Sequence, residues 1–213
     1  MKILQVSADY FKDIYLEEAI TLLQKGEVIC VPTDTLYIVA TALDNQEAVE
    51  KLYRIKNRDL EIPLTLVGSC KEEILPYVLD WTPIAEKLSQ DFWPGGLTMI
   101  LKKSFKVPDY VVSGLDTVGV RIPNHPVILK ILEEYGKPLA VSSANLSGNA
   151  GSITGRHVAE ELFDTELALL LDAGKTQLSE QATIIDLSVE TPVIIREGAI
   201  TKETIDLDLA KIA

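Results

Sequence analysis

The segment "PLAVSSANLSG" (Pro138–Gly148) passes from apolar to small and polar residues within a few positions. Its apolar part, Leu139 to Val141, predicts a buried strand, and the serines, asparagine and glycine behind it predict a turn where that strand ends. Hydroxyl and amide groups at a strand end fit three interpretations: a catalytic serine, a cradle for a phosphate group, or a turn alone. The rest of the chain decides between them.

Helix-like and strand-like segments alternate along the whole chain. Apolar residues at helical spacing predict helices at 13–24, 46–55, 71–79, 83–92, 126–135 and 157–163. Apolar runs between turn residues predict strands at 2–6, 27–31, 36–43, 63–67, 97–102, 117–122, 139–142, 167–171, 183–187 and 192–196. This alternation predicts an α/β fold on one sheet, and we expect a single domain over 1–213 with its core at about 13–200. The acidic tail after Gly198 is expected to form a short helix or to fray.

Length and charge narrow the class of protein. The chain has 213 residues, enough to bury a core without disulfides, and we expect Cys30 to be a buried apolar residue. A net charge of −12 disfavours non-specific binding to nucleic acid, which needs many lysines and arginines. The N-terminus lacks a secretory pattern and no run of 18 apolar residues occurs, so we expect a soluble, cytoplasmic protein.

Three familiar catalytic patterns are missing. Residues 173–176 have the sequence AGKT, but Leu169 replaces the first glycine that a phosphate-binding P-loop needs. The only histidines are His125, expected to cap a helix or lie at the surface, and His157, expected to be exposed near a helix start. Neither makes a convincing base for a serine triad. Two cysteines and two histidines far apart provide no zinc-ligand spacing.

Four cations from three segments lie beside predicted strand ends or turns. Lys56 and Arg58 end a predicted helix, Arg121 interrupts an apolar strand, and Arg196 ends another strand. The turn "PTDTLY" (Pro32–Tyr37) adds hydroxyls and a carboxylate. Guanidinium groups bind phosphates and carboxylates with two parallel hydrogen bonds, and hydroxyls complete such sites. Open α/β sheets bind ligands at strand ends, so these residues together predict an anion site.

Each of these patterns also has a purely structural interpretation. Asp34 can organise its own turn by accepting nearby N–H groups. Lys56 and Arg58 can stabilise a helix C-terminus through the helix dipole. Arg121 can pair with one of the 32 acidic residues, and the segment around Asn145 can be a turn. From spacing alone the chain is an α/β domain suited to anions, and no more.

The sequence resembles the YrdC-like family of threonylcarbamoyl-adenylate synthases from about Asp13 to Ile200. The blocks that carry the resemblance occur in the family's order: VPTDTLY, KNR followed by PLTL, WPGGLTMIL, TVGVRIPNHP, SSANLSG, ATIIDL and IIREGAI. The resemblance implies an open, twisted mixed sheet with flanking helices and a large concave pocket. The ordered set of blocks is far more specific than any one of them.

The resemblance also implies an activity: L-threonine, bicarbonate and ATP give threonylcarbamoyl-AMP and pyrophosphate, for the threonylcarbamoyladenosine modification of tRNA. Such an ATP-dependent nucleotidyltransferase depends on positioning and charge neutralisation, commonly with Mg²⁺ on the phosphates. The implied partners are its three substrates, possible tRNA or double-stranded RNA, and downstream transfer machinery. The site residues carried over are Lys56 and Arg58 as catalytic and ATP-binding groups, Thr117, Ser143, Asn145 and Arg196 as further ATP contacts, and Thr35 and Arg121 as threonine contacts.

Four positions depart from the family pattern. Ile38 and Ala40 stand where it has two glycines, Ile62 replaces a polar residue, and Ala182 replaces a serine. We expect all four in the pocket, where they bear on substrate identity and rate. A related branch, the YciO-like proteins, departs at similar places. Two alternatives therefore stay open: a weakly active or non-catalytic RNA-binding protein, and an enzyme that activates a different small molecule.

Overall fold

The computed structural model describes residues 1–7 and 11–211. Ten strands form one sheet: β1 Lys2–Gln5, β2 Ile29–Val31, β3 Ile38–Ala42, β4 Thr65–Val67, β5 Leu97–Lys102, β6 Thr117–Arg121, β7 Leu139–Ser143, β8 Leu169–Asp172, β9 Thr183–Asp186 and β10 Val193–Arg196. The α-helices are α1 Asp13–Gln24, α2 Gln46–Lys56, α3 Lys71–Ile74, α4 Pro83–Phe92, α5 Pro126–Tyr135, α6 Gly155–Glu161 and α7 Lys202–Leu209. Short 3-10 helices occupy Leu75–Tyr77 and Asp109–Val111.

The sheet is open and mixed, which confirms the predicted fold class. Its strand order is β1-β8-β2-β3-β7-β4-β6-β5-β9-β10. Strands β1 and β8, β2 and β8, β4 and β6, and β5 and β9 pair in parallel, and the remaining neighbours pair antiparallel. Each predicted strand is present, with ends that differ by no more than two residues.

Local side-chain caps explain why helices begin where the sequence predicts. The side chain of Asn45 accepts the Ala48 N–H at 3.1 Å, and Nδ1 of His125 accepts the Val127 N–H at 3.3 Å. Each cap satisfies a backbone donor of the first helical turn that has no partner inside the helix. The predicted capping role of His125 is therefore confirmed.

Three segments refine the prediction. The helix predicted at 71–79 ends at Ile74 because Pro76 has no N–H to continue the hydrogen-bond ladder, and a 3-10 turn follows. The helix predicted at 157–163 begins at Gly155 because the hydroxyl of Thr154 accepts the His157 N–H at 3.2 Å. The tail forms helix α7, which buries Ile205 fully, so the fraying alternative is wrong for 202–209.

Helices cover most of one face of the sheet and about half of the other, while the edge strands β1 and β10 stay largely exposed. Leu66, Met99 and Val120 point to the covered face and pack under helices that include α2, α4 and α6. On the opposite face, α1 and α5 pack over the strands from β8 to β7, where Ile29 and Leu139 are fully buried. No helix of this second layer extends over β6, β5 and β9, judged over the described chain. That half of the face forms the floor of a cavity.

The helices of the described segments are too short to span a membrane. The longest helix, α1, has 12 residues and is about 18 Å long. A bilayer core is about 30 Å thick. None of the helices in 1–7 and 11–211 is long and apolar enough to cross it.

Packing on the covered face sets the stability of the fold. We expect Leu66→Ala to lower the free energy of unfolding by about 2–5 kcal/mol, because Leu66 is fully buried and its loss leaves a cavity. The matched control Leu207→Ala removes a side chain that is 63% exposed and is expected to cost less than about 0.5 kcal/mol. Urea unfolding of both variants measures the difference, and equal losses would contradict this packing.

Candidate functional site

The uncovered half of the sheet carries a cavity of about 590 Å³. Hydroxyl, amide and guanidinium groups line it, together with aliphatic side chains. Among the described residues the lining includes three arginines and no aspartate or glutamate. The protein as a whole carries a net charge of −12, so the cavity is a local cationic site in an acidic protein.

Strand β6 forms the centre of the cavity floor. Thr117, Gly119 and Arg121 alternate along this strand and all line the cavity, because successive side chains of a strand point to opposite faces. Thr117 and Arg121 are four residues apart and so about 13 Å apart along the strand. The cavity therefore has two ends, which are separated by roughly the length of β6.

The pairing of neighbouring strands places other predicted site residues at these ends. Thr65 of β4 lies opposite both Gly119 of β6 and Val141 of β7. Because β6 and β7 run in opposite directions beside β4, Ser143 lies at the same end as Thr117. Arg121 lies at the other end, where its partner on β4 is Val67. The mixed sheet thus separates the polar residues into two groups that a parallel sheet would have brought to one edge.

Arg121 is buried and uses each of its three nitrogens. Nη2 donates to Oδ1 of Asp34 at 2.6 Å, Nη1 donates to the Thr35 hydroxyl at 2.9 Å, and Nε donates to the Gly95 carbonyl at 2.8 Å. Burial lowers the pKa of Arg121, and the Asp34 carboxylate opposes that shift. A guanidinium has five N–H groups, so one hydrogen on each Nη remains. The sequence left open whether Arg121 pairs with an acidic residue or binds an anion. In the structure Arg121 pairs with Asp34 and also lines the cavity.

The turn at 32–37 is organised by Thr33, not by Asp34 as the structural interpretation of the sequence expected. The Thr33 hydroxyl accepts the backbone N–H groups of Thr35 and Leu36 at 3.1 and 3.2 Å. Oδ1 of Asp34 instead accepts the distant N–H of Asn124 at 3.0 Å, besides its bond to Arg121. The carboxylate is thus committed to long-range contacts, which a local turn pattern cannot reveal.

Arg196 lines the cavity near the Arg121 end. Both Nε and Nη2 donate to the carbonyl of Ala182, at 3.1 and 2.8 Å. Strand pairing aligns Arg196 with Ile184 on β9 and, through Thr98 on β5, with the end of β6 that holds Arg121. Burial lowers the pKa of Arg196, and the positive charge of Arg121 lowers it further.

Arg58 occupies the opposite end of the cavity. It is half-buried and donates to the carbonyls of Ile62 and Pro63 at 3.3 and 3.1 Å. Burial lowers its pKa. Two residues earlier in the chain, Lys56 is the last residue of α2. Asn57 ends that helix in a left-handed conformation at φ 47°.

Lys56 is the one predicted site residue outside the cavity lining, as far as the described residues show. It is 1% exposed, and its ammonium donates to the carbonyls of Ser143 and, at 2.7 Å, of Asn145. Lys56 therefore lies behind the loop that begins at Ser143 and holds that loop by its backbone. Burial, helped by the nearby charge of Arg58, lowers the pKa of Lys56 to about 8. A direct contact between Lys56 and a substrate stays a prediction.

The loop at 143–149 presents Ser143 and Asn145 to the cavity. Nδ2 of Asn145 donates to the carbonyls of Leu146 and Asn149 at 2.8 and 3.0 Å. Its Oδ1 is buried and has no hydrogen-bond partner in the part of the chain that the structure describes. On the far side of the loop, Oε1 of Glu161 accepts two donors from it. Sequence reasoning missed Glu161, because a lone acid on a helix gives no local signal.

Three of the four positions that depart from the family pattern line the cavity. Ile38, Ile62 and Ala182 are among its lining residues. Ala40 is fully buried in the core under α1 and α5, so its expected place in the pocket is wrong. Ala40 lies two residues beyond Ile38 on β3, at a point where the helical layer has already covered the sheet.

The described lining of the cavity offers few ligands for a metal ion bound by the protein alone. Over the described ranges, no group of three histidine, cysteine, aspartate or glutamate residues could hold a metal ion. The partnerless oxygen of Asn145 is the feature that fits a hard cation such as Mg²⁺, which binds oxygen and keeps several waters. Such an ion would therefore depend on the phosphates of a nucleotide for most of its remaining ligands.

Fold and cavity together define an α/β protein with a cationic pocket on a half-covered sheet. A model of the Sua5/YciO/YrdC family, described as "Telomere recombination", matches residues 21–198. The chain therefore belongs to the Sua5/YciO/YrdC family. This agrees with the resemblance seen in the sequence blocks.

Relatives with this sequence pattern have related names. The chain is 35% identical over 191 residues to a threonylcarbamoyl-AMP synthase of Pyrococcus abyssi, a match that covers 89% of this chain but 56% of that protein. It is 36% identical over 184 residues to a threonylcarbamoyl-AMP synthase of Vibrio campbellii, covering 85% of this chain and 98% of the relative. The chain thus spans about half the length of the archaeal relative and nearly all of the bacterial one.

Solved structures agree with the fold. Sua5 of P. abyssi complexed with L-threonine superposes with a TM-score of 0.94 at 32% identity, covering 98% of this chain and 61% of that one. YciO of E. coli superposes with a TM-score of 0.84 at 27% identity, covering 93% and 96%. The fold is thus shared with a Sua5 protein solved as its L-threonine complex and with YciO.

The buried pair of Arg121 and Asp34 makes a stability prediction. Asp34→Ala is expected to lower the free energy of unfolding by about 3–5 kcal/mol, because it leaves the buried charge of Arg121 without its partner. Asp44→Ala is the control, because it breaks a pair with Lys137 in which both side chains are more than half exposed, worth about 1 kcal/mol or less. Denaturant unfolding compares them, and a small loss for Asp34→Ala would contradict the arrangement.

The lowered pKa of Lys56 predicts a pH dependence. Between about pH 8 and the ordinary lysine pKa of 10.5, the unfolded chain binds a proton at Lys56 that the folded chain has released. Stability contributed by this group therefore rises with pH across that window. In Lys56→Met the contribution is absent, so the stability of the wild type relative to the variant should increase from pH 8 to pH 10. Parallel unfolding profiles over this range would contradict the assignment.

Proposed function

We propose that this protein is a threonylcarbamoyl-AMP synthase, a nucleotidyltransferase that joins L-threonine, bicarbonate and ATP. The observation that supports this most directly is a single cavity with cationic groups at both ends and no carboxylate in its described lining. Two anionic substrates, a nucleotide and an amino acid, need such a pair of sites at a short separation. The names of the relatives agree with the proposal.

The proposed nucleotide end contains Arg58, Thr117, Ser143 and Asn145. Arg58 would neutralise phosphate charge, and the hydroxyls of Thr117 and Ser143 would donate hydrogen bonds. Lys56 would act there by holding the loop and adding positive charge from behind it. Arg196, assigned to the nucleotide by resemblance, lies in line with Arg121, so in this proposal it spans the space between the two substrates.

The proposed threonine end contains Arg121 and Thr35. In this proposal the N–H group left on each Nη of Arg121 would donate to the carboxylate of threonine, while its other donors are tied to protein groups that keep the guanidinium in place. The solved complex of a 32% identical Sua5 with L-threonine supports an amino acid as the ligand of this domain. Ala182, whose carbonyl accepts from Arg196, adds a small side chain to the lining near this end.

The proposed reaction needs positioning more than acid–base catalysis. The threonine amine combines with CO2 derived from bicarbonate to form a carbamate. A carbamate oxygen then attacks the α-phosphorus of ATP in line, the bond to the β-phosphate breaks, and pyrophosphate leaves with the electron pair. Arg58 would stabilise the charge that develops on the phosphates. A Mg²⁺ ion carried by the phosphates would neutralise part of that charge, with Oδ1 of Asn145 available to it.

The product would serve the threonylcarbamoyladenosine modification of tRNA. The proposal therefore includes a cytoplasmic location and a downstream enzyme that transfers the threonylcarbamoyl group to tRNA. RNA binding without catalysis is the competing proposal, motivated by the altered pocket residues Ile38, Ile62 and Ala182 and opposed by the net charge of −12. A filter-binding titration with tRNA at two salt concentrations distinguishes it, since RNA contacts through phosphates weaken steeply with salt.

The proposed activity is tested by pyrophosphate release from ATP with the purified protein. Release is expected only when threonine and bicarbonate are both present, because the carbamate is the nucleophile. Pyrophosphate release that does not depend on threonine, or does not depend on bicarbonate, would contradict the proposal. Replacing threonine in turn with other amino acids tests whether Ile38, Ile62 and Ala182 have changed the substrate.

The two ends of the cavity are tested by two variants. Arg121→Lys keeps the buried charge but loses the guanidinium fork, and is expected to raise KM for threonine by about 10- to 100-fold with little change in KM for ATP. Arg58→Ala is expected to raise KM for ATP instead. Arg156→Ala, at an exposed arginine on α6, is the control and should change neither constant. An unchanged threonine dependence in Arg121→Lys would contradict the assignment.

A further inference from the structure

Two buried charges lie on either side of the loop at 143–149. Lys56 donates to the carbonyl of Asn145 at 2.7 Å, and Oε1 of Glu161 accepts the N–H of Leu146 at 2.9 Å. These two groups belong to the same peptide bond. The peptide between Asn145 and Leu146 is therefore held at its oxygen by a cation and at its nitrogen by an anion. Hydrogen bonds to charged groups are stronger than those between neutral groups.

Glu161 also holds the far end of the loop. The same Oε1 accepts Nδ2 of Asn149 at 2.7 Å, while the side chain of Glu161 is only 9% exposed. Its Oε2 is buried without a hydrogen bond, among the described residues, and lies 3.7 Å from Nε2 of His157. Glu161 is not one of the residues that line the cavity. Within the described part of the chain, its hydrogen bonds are with the loop, and its negative charge also acts on Lys56 behind the loop.

These contacts fix the orientation of the Asn145 side chain. Asn149, anchored by Glu161, provides one of the two carbonyls that accept from Nδ2 of Asn145, and Leu146 provides the other. A flipped amide would place Oδ1 against these two oxygens, which cannot donate to it. Oδ1 must therefore face the other way, buried and with no described partner, on a residue that lines the cavity and is 6% exposed.

We propose that Glu161 is a positioning residue that holds the 143–149 loop so that Oδ1 of Asn145 is presented to the nucleotide as a hydrogen-bond acceptor. This rests on the proposed function and deepens it. A carboxamide oxygen cannot bind a phosphate oxygen, which is also an acceptor. Asn145 therefore takes either an O–H or N–H donor of the nucleotide or the cation that accompanies its phosphates. Glu161 acts on the ligand only through the loop.

The variants Glu161→Ala and Glu161→Gln test this role. Ala removes the acceptor of Leu146 and Asn149 and is expected to weaken binding of a non-hydrolysable ATP analogue about tenfold or more, because two loop donors lose their partner. Gln retains an acceptor oxygen of the same reach, so it should restore most of the affinity. Glu160→Ala is the matched control: its side chain is 63% exposed on the same helix and forms a surface pair with Arg156, so affinity should stay within about twofold.

Two further readouts separate positioning from general destabilisation. Amide hydrogen exchange in 144–149 should speed up in Glu161→Ala while exchange in β5 and β6 stays unchanged, since the loop alone loses its anchor. KM for threonine should also stay unchanged, because Arg121 lies at the other end of the cavity. Titrations of the ATP analogue in Mg²⁺ and in a chelator identify what Asn145 binds. If Glu161→Ala loses affinity in both conditions, Asn145 accepts from a donor on the nucleotide. If it loses affinity only in Mg²⁺, Asn145 binds the cation.

Distinct results would overturn the two levels of the proposal. If the wild type binds the ATP analogue and Glu161→Ala binds it equally well, Glu161 has no positioning role and the proposed function is untouched. If Glu161→Ala and Glu160→Ala lose affinity equally, or if loss of affinity follows global unfolding, the positioning role is likewise wrong. If the wild type does not bind the analogue at all, the proposed function fails, and the role of Glu161 in nucleotide binding fails with it.

Discussion

Coverage of the sheet is the constraint on which the rest of this structure depends. The ten-stranded sheet has two faces. Helices α1 and α5 lie on one of them and cover only half of it. Where they stop, floor residues such as Thr98, Thr117 and Gly119 replace the large aliphatic side chains of the covered half. Small and hydroxyl-bearing residues there leave room and hydrogen-bonding groups, so the missing layer becomes a cavity instead of an exposed apolar patch.

The cations around this cavity share one physical device. Lys56, Arg58, Arg121 and Arg196 all donate to backbone carbonyls of the protein. Neutral acceptors satisfy the N–H groups and fix the side chains without cancelling their charge, which leaves that charge available to a ligand. Of these four, as far as the described residues go, Arg121 alone also has a carboxylate partner, Asp34, and it is the most deeply buried of the three arginines. Preorganised charge of this kind suits a reaction that depends on positioning.

Local rules predicted most of the elements because their causes are local. Helix α5 runs from Pro126 to Tyr135 as expected, since His125 caps it, Pro126 starts it and Gly136 ends it with φ 73°. The same reasoning extended the helix at 71–79 past Pro76, where a rule on proline should have stopped it. Seven of the eight predicted site residues line one cavity, yet this rested on the family resemblance, because each pattern alone left a structural interpretation open.

The sequence by itself determined the alternating elements, the α/β class and the types of residue that a binding site for anions needs, because these depend on periodicity and side-chain chemistry. Only the tertiary structure decided that Lys56 lies behind the loop, that Ala40 belongs to the core and that Glu161 anchors Asn149. Each of these depends on contacts between residues far apart in the chain, such as 56 with 143. Such contacts are set by strand order and direction, which no local pattern encodes.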